Sequence, residues 1–186
     1  MALVDAVHAE LRATGTCTAE RVAAVAGCSE ATYYAHFPTK DDAVAEAFGR
    51  ALDALDELSR RVFIRDELLA AGPAAVATRV ERGLVRYFRA ESLVFRAALA
   101  RLPEHRGIRE RYRQTERTVI AHLRDVLGPG PDLDSRAEAA LVVAQGVNNP
   151  RLLRAPASDP VHARVAAALA AALAVGQPGR GDTDGC

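Results

Sequence analysis

The sequence of 186 residues has no apolar run long enough to span a bilayer, and its alanine-rich stretch near 165–175 is short and preceded by Arg164. It lacks a basic N-terminal region followed by an apolar core, so no secretory leader is expected, and a cytoplasmic location follows as the default. Its three cysteines, Cys17, Cys28 and Cys186, have neither metal-ligand spacing nor the density of a disulfide framework. Cys28 is expected to be a buried small hydrophobe and not a redox sensor. There is no Gly-rich phosphate loop. His105 and His122 have no HxxE or HxxH companion, so neither a metal nor any other cofactor is expected. No Ser or Cys nucleophile has an evident His and acid partner, and no catalytic residue is assigned. Net charge is also lacking: the formal sum is zero.

What is present is a chain 49% hydrophobic, enough for one or two small domains with a buried core. Its apolar residues recur at helical spacing, and no segment reads as β structure. Leu3, Val7 and Leu11, with Val4 beside them, form the stripe of a first helix over residues 2–13, ended by Gly15. Thr18 is placed to N-cap a short helix whose apolar face is Val22, Ala23, Val25 and Ala26. Gly27 ends that helix with a positive φ, Ser29 caps the next from Glu30 to about Phe37, Pro38 stops it, and Thr39 caps a third. Two short helices joined by a tight turn form a helix-turn-helix, which lets the second helix lie in a DNA major groove.

Tyr33 and Phe37 are four apart and share a face, assigned to a small core with Leu11, Val22 and Val25. Glu30, Ala31, Thr32, Tyr34, Ala35 and His36 then face outward. Of these, Glu30 could accept from a cytosine amino group, or simply favour the helix dipole in the first turn. Ala31 and Ala35 could touch thymine methyls.

The residues Ala23, Ala26, Gly27, Ser29, Thr32, Tyr34, His36, Phe37 and Lys40, in the pattern AxxAGxSxxTxYxHFxxK, resemble the DNA-binding motif of the TetR family of transcriptional repressors. The close resemblance covers about the first quarter of the chain. It implies an all-α fold, with a helix-turn-helix DNA-binding domain over 1–48, a helical effector-binding and dimerisation domain over 49–176, and a disordered tail over 177–186. It also implies phosphate contacts from Thr32, Tyr34, His36 and Lys40, with Thr18 joining them at a helix N-terminus. The implied partners are double-stranded DNA carrying a near-palindromic operator, a small-molecule effector, and a second copy of the chain. Many members carry a basic arm before the first helix; here none precedes it, and no arm contact in the minor groove is expected.

Beyond the motif, residues 41–63 read as one longer helix, which in the family links the two domains. A boundary falls in 64–73, where Gly72-Pro73 breaks any helix, and Pro73 opens a new one. Separate helices follow over about 91–102, 104–127, from Asp134 or Ser135, and over 159–175. The segment from Ala139 to Ala144 is apolar all round and should bury most of its circumference. By the resemblance, the last two long helices form a four-helix bundle across a two-fold axis; a fully intramolecular core is the rival. Tyr87, Phe88, Phe95 and Tyr112 are candidates to line an effector pocket, or are ordinary core aromatics.

Charge sets a competing expectation. Through Phe48, seven acids stand against three bases (Arg12, Arg21 and Lys40), a net charge of −4 and a poor footprint for phosphate. Lys40 is the only lysine. Eleven arginines lie between Arg79 and Arg117; most should form a solvated face, and a minority could turn toward an anionic effector. The leading expectation is a homodimeric, ligand-responsive DNA-binding repressor. The alternatives are a ligand-binding or protein-interaction dimer with weak or lost DNA binding and, least favoured, an enzyme on an all-α scaffold.

Overall fold

The computed structural model describes residues 3–174, all-α in that span. The tail expected over 177–186 lies outside these residues. Nine helices follow in order: α1 (Leu3–Thr14), α2 (Ala19–Ala26), α3 (Glu30–His36), α4 (Lys40–Val62), α5 (Arg65–Leu99), α6 (Arg106–Leu127), α7 (Leu133–Gly146), α8 (Pro150–Arg154) and α9 (Pro160–Leu173). Among the described residues none of these helices is long and apolar enough to cross a membrane, and no group of His, Cys, Asp and Glu could hold a metal.

The first four helices end where their caps dictate. Thr18 Oγ1 accepts from the Arg21 N–H at 3.3 Å and Ser29 Oγ from the Thr32 N–H at 3.2 Å. Gly27 closes α2 at φ 71°, where a side chain would be strained. Thr39 and Asp42 form a reciprocal capping box: Thr39 Oγ1 accepts from the Asp42 N–H at 3.1 Å, and Asp42 Oδ2 from the Thr39 N–H at 3.0 Å. That box fixes how the chain turns from α3 into α4.

One continuous apolar core runs from α1 to α9. In it α1 packs on α2, α4 and α5, and α2 packs on α3. Further along, α4 packs on α5 and α6, α6 on α7, and α9 on both α5 and α7. Polar links fasten the first helix to the fifth. Glu91, almost fully buried, lies 2.8 Å from His8 Nε2 and forms an ion pair with Arg12 Nε at 3.2 Å, while that Nε–H donates to the Ala90 carbonyl.

Several sequence expectations change. Val25 is 52% exposed, outside the core. On an eight-residue helix the core arc is centred on Ala19, Val22, Ala23 and Ala26, and Val25 lies more than a quarter-turn away at 100° per residue. Cys28 is only partly buried; Cys17 is the cysteine inside the core. The stretch expected as a boundary is helical from Arg65, with the break confined to Gly72 at φ 79° and ψ 165°, followed by Pro73. From there the helix runs unbroken to Leu99, so no separate helix begins near residue 91: there is no Gly or Pro between Leu84 and Leu99 to stop it. After α7 ends at Gly146, Asn149 caps an unexpected short helix, α8, by accepting from the Arg151 N–H at 2.9 Å. Finally, α7 does not bury most of its circumference within one chain. Among the described residues it packs chiefly on α6 and α9, and Val142 is 65% exposed with Ala139 beside it.

Candidate nucleic-acid interface and effector cavity

The site at the start of the chain follows from which side of α3 is covered. Tyr33 and Phe37 are 2% and 1% exposed, and their rings meet edge to face at a 5.2 Å centroid distance. Burial pushes the Tyr33 phenol up to about 12, so it stays neutral inside. These two side chains belong to the same buried cluster as Val7, Leu11, Val22 and Val44, and α3 packs on α2. With that face committed, Glu30, Ala31, Thr32, Tyr34, Ala35 and His36 all lie on the exposed flank, and Thr18 and Lys40 are exposed as well. Tyr34 is 56% exposed, a large ring held out in solvent.

The polar groups of this flank keep donors to spare. Thr18 Oγ1 accepts a backbone bond and retains its hydroxyl hydrogen. Thr32 Oγ1 lies 3.0 Å from Ser29 Oγ, which tethers the start of α3. Lys40 has no ion pair or hydrogen bond among the described residues, because the two acids beside it are engaged elsewhere. Asp41 Oδ1 receives Arg101 Nε at 2.5 Å, and Asp42 closes the capping box and lies 3.4 Å from His105 Nε2.

The acidity of the first 48 residues is therefore partly answered from later in the chain. Arg50 reaches Asp5 at 2.6 Å, Arg101 reaches Asp41, and His105 reaches Asp42. Within the unit Arg21 pairs with Glu10 at 2.8 Å. Glu20, Glu30 and Glu46 are the acids left without an ion pair among the described residues. Arg101 and His105 belong to this unit in space though they lie about sixty residues away in sequence. His105 also N-caps α6, accepting from the Ile108 N–H through Nδ1 at 3.2 Å. Its distance in sequence from Asp42 gives no hint of that pairing.

The second site is a cavity of about 50 Å³ among α4, α5, α6 and α7. Phe88, Phe95 and Tyr112 line it, with Leu52 and Leu55 of α4. Gln145 supplies a polar corner, donating to Tyr112 Oη at 3.2 Å and to Glu116 Oε1 at 2.7 Å. Burial, then the nearby Glu116 charge, holds the Tyr112 phenol above its ordinary range. Tyr87, expected with the other aromatics, is not part of this lining. It is one residue, or about 100° of helix, from Phe88, and its hydroxyl donates instead to the Ala51 carbonyl.

Solved structures share the fold over nearly the whole chain. A transcriptional regulator from Rhodococcus sp. Rha1 superposes with a TM-score of 0.67 at 23% identity, covering 92% of this chain and 91% of its own. A protein classed as a TetR-family transcriptional regulator, from Mesorhizobium loti MAFF303099, gives 0.59 at 15% identity, covering 92% and 91%. The chain has the TetR-type fold. A protein classed as a transcriptional regulator from Pseudomonas aeruginosa PAO1 shares it as well, with a TM-score of 0.63 at 19% identity over 92% and 88% of the two chains. No protein-family profile and no curated protein sequence matches the chain. In this TetR-type fold, α2 and α3 are the helix-turn-helix and α4 runs from that unit to the cavity wall.

Proposed function

We propose that this protein is a homodimeric DNA-binding transcriptional regulator, a repressor released from its operator by a small-molecule effector. The observation that carries the reading is the division of α3. Tyr33 and Phe37 are buried, the opposite flank presents Thr32, Tyr34, Ala35 and His36, and Thr18 and Lys40 are exposed at the starts of the flanking helices α2 and α4. Hydroxyl, imidazole and ammonium donors on one exposed surface suit phosphate oxygens and set register, while Glu30, Ala31 and Ala35 face the bases. In a dimer, two such helices enter successive major grooves about 34 Å apart on a near-palindromic operator.

The exposed apolar flank of α7, with Val142 and Ala139, and the outward alanines Ala167 and Ala171 of α9 support a two-fold seam: small residues let helices approach closely, and a second copy would cover what one chain leaves bare. Effector response rests on α4. Its first residues hold α3 through the capping box, and its Leu52 and Leu55 line the cavity. Ligand pockets usually occupy about 300–1,000 Å³, so an effector would have to widen a cavity of about 50 Å³. Displacing Leu52 or Leu55 would tilt α4 and favour a DNA-incompetent spacing, a population shift between two states.

The alternative, a dimer of this fold with weak or lost DNA binding, keeps one observation in its favour: Glu20 and Glu30 remain exposed near the same flank. A gel shift against the protein's own promoter region, at low and at physiological salt, separates the two. Sequence-specific retardation at both salts is the outcome expected here, and none at either supports the alternative.

A further inference from the structure

A groove lies between α5 and the start of α9, on a different side of α5 from the effector cavity, with a volume of about 650 Å³. That is within the range of small-molecule sites. Arg82, Arg86 and Arg89 line one wall from successive turns of α5, with Ser158 and His162 opposite. Two acids also face the groove, and both are engaged. Glu81, 4% exposed, pairs with His162 Nδ1 at 2.5 Å, and Asp159 caps α9 by accepting from the Val161 N–H at 2.9 Å. Arg89 donates from Nε and Nη2 to the Leu153 and Ala155 carbonyls at 2.8 and 2.7 Å, which fixes the segment between α8 and α9 against the wall.

Arg82 and Arg86 differ from their neighbours. Arg79 and Arg89, to either side along α5, are engaged by Glu67 and by the Leu153 and Ala155 carbonyls, whereas Arg82 and Arg86, like the exposed Arg96 and Arg113 outside the groove, have no ion pair or hydrogen bond among the described residues. Their separation of four residues is about 6 Å of helix rise, close enough for like charges to oppose each other and to share one ligand. Two unanswered guanidiniums on a concave wall, with the Ser158 hydroxyl across from them, match the oxygens of a phosphate group, which guanidinium binds in bidentate fashion.

We infer that this groove binds a compact phosphorylated anion, held by Arg82 and Arg86 and oriented by Ser158. The site does not depend on DNA binding, so either reading can fail while the other stands. Isothermal titration of the full chain with inorganic pyrophosphate, against sodium chloride of equal ionic strength, tests it. The expected result is saturable binding of one pyrophosphate per subunit, weakened at least tenfold in R82Q/R86Q. The control R113Q/R117Q, which removes the same charge from exposed positions of α6, should stay within twofold of wild type. Unchanged circular dichroism of both variants establishes that folding is intact. Absence of saturable heat, an equal loss in the control, or weakened operator binding by R82Q/R86Q without any pyrophosphate binding overturns the proposal.

Discussion

Replacing Lys40 with alanine isolates the electrostatic part of the proposed DNA contact. Lys40 is the first residue of α4, exposed and without an ion pair among the described residues, since Asp41 is held by Arg101 and Asp42 by Thr39 and His105. Its removal therefore breaks no side-chain hydrogen bond or ion pair among the described residues, and stability should change by no more than about 0.5 kcal/mol. On DNA, each phosphate contact contributes about −0.9 to the slope of log K against log salt, so a dimer that loses two lysines should lose about 1.8 from its slope. Raising salt threefold, from about 50 to about 150 mM, should then cost wild type about sevenfold more affinity than the variant. Fluorescence anisotropy with a labelled operator across that range measures both slopes. The loss should be the same on every operator tested, because a phosphate contact carries no sequence information. An unchanged slope would refute the assignment of Lys40 to phosphate; a slope that falls on one operator only would mean that Lys40 reads a base.

Three other outcomes follow from the geometry. Phe37→Ala empties a site that is 1% exposed under α3 and should cost about 3–5 kcal/mol in urea unfolding; a loss below 1 kcal/mol would mean that α3 is not anchored through this face. The Asp42 carboxyl is held below its ordinary range, chiefly by the Thr39 hydroxyl. A depressed folded value contributes stability above the unfolded value near pH 4, and that contribution is lost as pH falls through the folded one. Thr39→Ala should therefore lower stability at pH 7 by about 1 kcal/mol and reduce its dependence on pH below 4; an acid limb identical to wild type would contradict the capping box. Val142→Asp places a charge on the exposed flank of α7 and should convert a dimer into a species of the 19.8 kDa chain mass by light scattering. An unaltered dimer would move the seam elsewhere.

What the sequence revealed and what it hid have separate physical origins. Capping is local chemistry, so Thr18, Ser29 and Thr39 marked three helix starts from residue type and spacing alone, and Gly27 marked an end. The inward pair Tyr33 and Phe37 was legible because two aromatics four apart define a face without reference to the rest of the chain. Val25 was misplaced because an eight-residue helix against a small core buries a narrower arc than its apolar residues span. The pairings of Asp41 with Arg101 and Asp42 with His105 join residues about sixty apart, and no local pattern encodes them. Tyr87 shows the same limit: it and Phe88 are adjacent aromatics in sequence, and the way α5 packs turns Phe88 to the cavity while the Tyr87 hydroxyl meets the Ala51 carbonyl of α4.

Under the proposed function, two copies of the exposed flank of α3 meet a duplex together. Hydroxyl-radical footprinting of the promoter region at about 50 mM salt tests it most directly. Two protected segments centred about 34 Å apart on one face of the helix are expected. A single protected segment, or a cleavage pattern unchanged at saturating protein, would contradict it.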